Sequence, residues 1–119
     1  MPEGQQNLEG RTWQLVELDG RAVDEIPGLR VPTLLLDEQA GQAAGISGVN
    51  RYTTGYTLEE ASLTFGEIAS TRMAGPPEAM EFEQAFLNAL QETTAWTLRE
   101  GLLELSTRKG ESTLRFRAE

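Results

Sequence analysis

An all-β sandwich or barrel carrying a single helix is the fold class this sequence predicts, and three observations predict it. Apolar residues recur at every second position in run after run. Glycine-bearing turns separate those runs at short intervals, the spacing of a sandwich or barrel. One segment alone has the three-and-four spacing of an amphipathic helix. With 119 residues there is room for one domain, 1–119, whose core spans about 8–117. A chain of this size buries roughly two-thirds of its unfolded surface, so it needs neither metal nor disulfide to fold.

In chain order, Trp13 and Leu15 share one parity and Val16 and Leu18 the other. The strand from Thr12 to Leu18 therefore contains a bulge or is covered on both faces. Asp19 to Arg30, with Gly20, Pro27 and Gly28, is the longest predicted loop. Leu34, Leu35 and Leu36 follow Pro32 without a polar break, as in a strand buried on both sides or bending at a corner. Tyr52, Thr54, Tyr56 and Leu58 share one strand face, Gly55 interrupts the other, and Leu63 and Phe65 mark the next strand.

The segment Pro76 to Leu90 is the helix: its prolines fall where a first turn tolerates them, and acids lie near its positive end. Ala79, Phe82, Phe86 and Leu90 form one stripe, predicted to lie on a sheet or plug the end of a barrel. Three further segments follow, in which Trp96 and Leu98, Leu103 and Leu105, and Leu114 and Phe116 alternate with polar residues. Glu100-Gly101 and Lys109-Gly110 punctuate them, so they read as a meander of hairpins.

Composition removes much chemistry. The chain has no Cys and no His, which excludes thiolate nucleophiles, Cys/His zinc sites, Ser-His-Asp triads and histidine proton shuttles. Its 19 acids against 10 bases give a net charge of −9, which argues against a nucleic-acid partner. No run reaches the roughly 20 apolar residues of a membrane span, so no membrane insertion is expected. The start, Met1 to Gln6, has neither a basic nor an apolar signal region.

Carboxylates remain as catalytic groups, but nothing marks a facing pair. Glu78, Glu81 and Glu83 are predicted to lie on the solvated face of the helix. Glu17, Asp19, Asp24 and Glu25 lack the alternating spacing of a calcium loop. Gly45-Ile46-Ser47-Gly48 only superficially matches a nucleophile elbow. Tyr52 and Tyr56, preceded by Arg51, have the spacing of a base-stacking platform, which a core or rim strand satisfies equally. Arg72, just ahead of the helix, suits either an anchor for an anion or protein partner or a loop-to-helix salt bridge. No metal site or cofactor is predicted.

Three ordered motifs carry a resemblance. Leu8-Glu9-Gly10-Arg11-Thr12-Trp13 opens the chain, Gly48-Val49-Asn50-Arg51 follows a β segment, and Thr71-Arg72-Met73-Ala74-Gly75 leads into the helix. Together they resemble the META domain, or HslJ-like, family of bacterial heat-shock and envelope proteins, over Leu8 to about Phe116. The resemblance implies a compact, antiparallel, lipocalin-like cracked barrel with one helix packed against it. It also implies a non-enzymatic, stress-associated domain that acts by binding a protein partner or a small apolar ligand in the barrel mouth, with no catalytic residues.

The matched motifs nominate Asn50, Arg51, Thr71 and Arg72 as binding residues, although Asn50 and Thr71 also suit a conformational role. A monomer is expected. By resemblance the setting is the cell envelope or the exterior if a signal peptide has been trimmed, and the cytoplasm otherwise. A small hydrolase or transferase using carboxylates alone is the competing reading. Val49 and Gly75 stand where the family has the cysteines of G-C-N and M-A-C. Their paired replacement implies that positions 49 and 75 are neighbours.

Overall fold

The computed structural model describes residues 8–23, 26–107 and 112–119. The strands are β1 Thr12–Leu18, β2 Arg21–Ala22, β3 Thr33–Asp37, β4 Gln42–Ile46, β5 Arg51–Glu59, β6 Ser62–Ser70, β7 Thr93–Arg99, β8 Leu102–Thr107 and β9 Ser112–Ala118. The helix, α1, is Pro77–Gln91. Pairing is antiparallel in the order β2-β1-β3-β4-β5-β6-β7-β8-β9, and β1 closes onto β9. Strand β2 shares an edge of β1 with β3, so the ring itself is an eight-stranded barrel.

Each element follows its sequence pattern with local exceptions. In β1 a bulge between Leu15 and Glu17 against β9 lets both Leu15 and Leu18 point inward, which resolves the mixed parity. The continuous leucines of β3 are neither buried on both sides nor bent. Leu34 and Leu36 are fully buried while Leu35 is 37% exposed, so the ordinary strand alternation places one leucine outward. The predicted loop after Asp19 begins with a tight turn into β2. The β7–β8 hairpin turns at Glu100 and Gly101, whose φ angles of 56° and 81° suit a primed turn. The turn predicted at Lys109-Gly110 lies outside the described residues.

The interior is filled by side chains, as an eight-stranded ring permits. Trp13, Tyr52, Phe86, Phe116, Leu34, Leu36, Leu63, Leu103, Leu105 and Leu114 have almost no exposed surface. Phe86 of α1 meets Tyr52 of β5 edge-on at 5.8 Å and Phe116 of β9 at 6.4 Å. Strands β5 and β9 stand on opposite walls of the ring, so this one helical side chain spans the lumen. The predicted stripe of Ala79, Phe82, Phe86 and Leu90 is buried throughout.

The ring is not evenly sewn. Strand β6 pairs with β5 along its length, through a register shift opposite Gly55, but among the described residues it meets β7 in the ladder only at Ser62↔Ala95. Beyond that point the strands part and α1 lies alongside β6, tied by Gln91 Nε2 donating to the Gly66 carbonyl at 2.7 Å.

Candidate functional site

The site forms where three chain segments meet: the 47–50 loop after β4, the 71–75 stretch after β6, and the flank of α1 that carries Glu83. Glu83 is its hub. The carboxylate was expected on the solvated face, but it is only 6% exposed. The reason is helical phase: Glu83 follows Ala79 by four residues and precedes Phe86 by three, which puts it on the same buried face. That signal was present in the sequence, where charge outweighed position. Glu78 and Glu81 are exposed as expected.

Four donors converge on this carboxylate. Oε1 accepts from Ser47 Oγ at 2.8 Å, Val49 N at 2.8 Å and Asn50 N at 2.7 Å, and Oε2 accepts from Asn50 Nδ2 at 2.8 Å. Successive backbone N–H groups of this kind form an anion-binding nest. Gly48 makes the nest possible: its φ is 129°, and a Cβ there would lie 2.7 Å from Leu29 Cδ1 and 3.4 Å from Glu83 Cβ. Burial raises the Glu83 pKa, but the hydrogen bonds from Asn50, Val49 and Ser47 outweigh it and hold the carboxyl below its ordinary value. Glu83 is thus an ionised anchor that accepts four hydrogen bonds, three of them on Oε1.

Asn50 is used completely. Its Nδ2 donates to Glu83 Oε2 and to the Met73 carbonyl at 3.1 Å, and its Oδ1 accepts from Thr71 Oγ1 at 2.9 Å and Met73 N at 2.7 Å. That satisfies both donors and two acceptor sites. Thr71 Oγ1 in turn accepts from Arg51 N at 3.1 Å. Asn50 and Thr71 therefore brace the 71–75 segment against the loop and α1. The side chains of Arg51 and Arg72 are exposed, and neither has an ion-pair partner among the described residues. The structure brings Asn50, Thr71 and Arg72 to one place, and sends Arg51 to the outer surface of the β5–β6 pair.

Beside this network runs an open groove of about 500 Å³. Ile68 and Ser70 of β6 form one wall, Met80, Leu87 and Asn88 of α1 the other, and Arg72 and Met73 its end. Met73 is 54% exposed, a large apolar side chain left in solvent. Tyr52 is no stacking platform: it is buried, and its hydroxyl donates to the Thr33 carbonyl at 2.7 Å. Tyr56 is half-buried at the rim and donates to the Glu9 carboxylate. Among the described residues no group of three or more acidic side chains is placed to hold a metal ion, and no helix is long and apolar enough to cross a membrane.

Positions 49 and 75 do meet. A Cβ built on Gly75 would lie 2.9 Å from Val49 Cγ2 and 3.6 Å from Val49 Cβ. The valine fills the space that the glycine leaves, a large-and-small pair where the resemblance expects two thiols. Comparison with family models matches the META domain over residues 6–119. The chain belongs to the META domain family.

Solved structures share the fold. The chain is similar, at 31% identity over its full length and 88% of the other chain, to a protein from Burkholderia xenovorans studied by NMR, with a TM-score of 0.74. A second NMR structure, at 24% identity, covers 94% of this chain and 92% of its own with a TM-score of 0.71. A crystal structure of a DUF4847 family protein from Bacteroides vulgatus shares the fold at 12% identity, with a TM-score of 0.67 and 96% coverage of both chains. Comparison with curated proteins finds no match. In this META domain, then, the motif residues Asn50 and Thr71 hold the site together, while Arg72 stands at its open side.

Proposed function

We propose that this META domain is a non-enzymatic binding module and that it receives a protein partner in the groove between β6 and α1. The observation that carries this reading is the filled lumen. Phe86 bridges opposite walls of the ring, so a small apolar ligand would have to displace it, whereas the groove is open and contains exposed Met73 and unpaired Arg72. In this proposal Arg72 faces the partner, while Asn50 and Thr71 fix the wall from which it projects. Arg51 lies around the edge and extends the basic surface. Carboxylate chemistry is poorly supported at this place, since Glu83 is ionised and already accepts from four donors. The association with heat shock and envelope stress is part of the same proposal and rests on the family resemblance.

The test is affinity capture from the native host with the wild-type domain, with Arg72→Glu/Met73→Glu, and with Arg99→Glu as a control on the distant β7–β8 hairpin. Proteins retained by wild type and the control should be depleted on the groove variant, whose melting temperature should be unchanged because both side chains are exposed. Equal recovery on all three would overturn the reading.

A further inference from the structure

The groove has one wall that is not a side-chain surface but an unused strand edge. Thr71 N donates to the Arg51 carbonyl at 3.0 Å, and the β5–β6 register runs Tyr52↔Ser70, Thr53↔Ala69, Thr54↔Ile68. Residues of an antiparallel pair alternate in the direction of their backbone groups. If Thr71 points its N–H at β5, so does Ala69, and Ile68 and Ser70 point theirs the opposite way. On that side the ladder to β7 is confined to Ser62↔Ala95, and no backbone partner reaches Ile68 or Ser70 among the described residues. The N–H and C=O groups of these two residues face the groove.

From this we infer that the groove takes an extended peptide segment of a protein partner as an added antiparallel or parallel strand on the β6 edge, seated between β6 and α1. The inference rests on the groove reading above and specifies how it is used. An unpaired edge calls for main-chain donors and acceptors at strand spacing, which an extended backbone supplies and a helix does not. The free stretch from Ile68 to Ser70 is about 10 Å of edge, at the rise of roughly 3.3 Å per residue. Natural folds normally cover or charge such an edge. Here Gln91 covers it only at Gly66, and α1 then leaves a groove of about 500 Å³ instead of packing onto the strand.

The chemistry of the walls describes the occupant further. Ile68, Met80 and Leu87 offer apolar contact to side chains on one face of the added strand. At the groove's end stands Arg72, without an ion-pair partner among the described residues, and the carboxylate of the lining, Glu83, is bound by four donors of the loop. The segment that fits is extended, has apolar residues at alternate positions, and carries a carboxylate where it meets Arg72.

The experiment uses a random heptapeptide library displayed on phage, selected against the wild-type domain and then tested on Ser70→Pro. That substitution deletes an outward N–H without removing a β5–β6 hydrogen bond, and it sits where an edge strand tolerates proline. The selected peptides, made synthetically, should shift the amide resonances of Ile68, Ser70 and Leu87. Methylating their backbone nitrogens one at a time should weaken binding about tenfold at alternate positions and little between them, the loss expected for one main-chain hydrogen bond. This scan is read on the wild-type protein, so it stands even if Ser70→Pro fails to fold. Peptides that map to the groove with a three-or-four-residue pattern, or with none, overturn strand addition and leave the groove reading intact. Peptides that map elsewhere overturn both. A library that yields no binder, or a wild-type domain that dimerises through β6, overturns strand addition.

Discussion

The barrel has two seams that close in different ways. Where β1 meets β9, the ladder runs from Trp13↔Ala118 to Leu18↔Leu114, and on its outer face Arg115 joins Glu17 at 2.7 Å and Glu104 at 3.2 Å. Where β6 meets β7, the ladder is limited to Ser62↔Ala95 among the described residues, and α1 takes over. The first seam satisfies backbone groups with backbone groups and needs only strand sequence with one bulge, between Leu15 and Glu17. The second relies on side chains far apart in the chain, with Glu83 binding the 47–50 loop and Phe86 entering the core. A seam closed by a helix can stay partly open, and the candidate site lies there.

The largest effect should come from the residue common to both halves. Phe86 touches β5 and β9 and is fully buried, so Phe86→Ala should cost about 3–5 kcal/mol in urea unfolding. A loss below about 1 kcal/mol with the fold retained would mean that the helix is dispensable to the core.

Glu83 tests the helical seam alone. Glu83→Ala leaves the N–H groups of Val49 and Asn50 buried without their acceptor and should destabilise by about 3 kcal/mol, with formate restoring part of the melting temperature. The sign of the pH dependence follows from the lowered pKa of this group. Its contribution is complete above the unfolded carboxyl value of about 4.3 and declines as pH falls through the lower folded value. Acid should therefore destabilise wild type more steeply than Glu83→Gln, as read from melting curves across that range. Parallel curves would remove Glu83 from its anchoring role.

The contact between Val49 and Gly75 gives an effect of either sign. Gly75→Ala forces a methyl against Val49 Cγ2 and should cost about 1–3 kcal/mol, relieved when Val49→Ala is added. Val49→Cys/Gly75→Cys should instead oxidise to an intramolecular disulfide, because the Cβ separation of 3.6 Å falls within the usual range. It closes a loop 26 residues apart in sequence and should add up to about 3 kcal/mol, lost on reduction. Thiol titration and melting with and without reductant measure both. Free thiols under mild oxidation would contradict the placement of the two segments.

The smallest effect belongs to the ladder seam's ion pairs. Arg115 is 39% exposed, so Arg115→Ala should cost less than about 1 kcal/mol, and less still in high salt. A larger loss would show that the β1–β9 closure depends on its charges rather than on its ladder.

Much of the fold was legible because strand and helix periodicity are local. The stripe Ala79, Phe82, Phe86 and Leu90 needed only spacing, and the β7 to β9 meander needed only alternation and turn residues. Leu35 misled because three adjacent leucines conceal which parity faces outward, and register with β4 decides that. Glu83 misled because a charge normally marks the wet face, and only a nest assembled from residues 33 to 36 positions earlier stabilises it indoors. Of the nominated residues, Asn50, Thr71 and Arg72 lie along the groove beside α1, and Arg51 lies on the outer surface of the β5–β6 pair. The residue types of the first two already suited a conformational role, and only the structure shows which groups take their hydrogen bonds.

By itself, then, the sequence determined the β class, the single helix and its buried stripe, the family, and the exclusion of thiol and imidazole chemistry. Each depends on composition, ordered motifs or on neighbours within a few positions. Tertiary structure alone decided that the ring closes through β1 and β9, that β6 meets β7 at a single ladder pair among the described residues, and that Val49 fills the space beside Gly75. Those outcomes depend on which distant backbone groups find partners, and local pattern carries no record of that pairing.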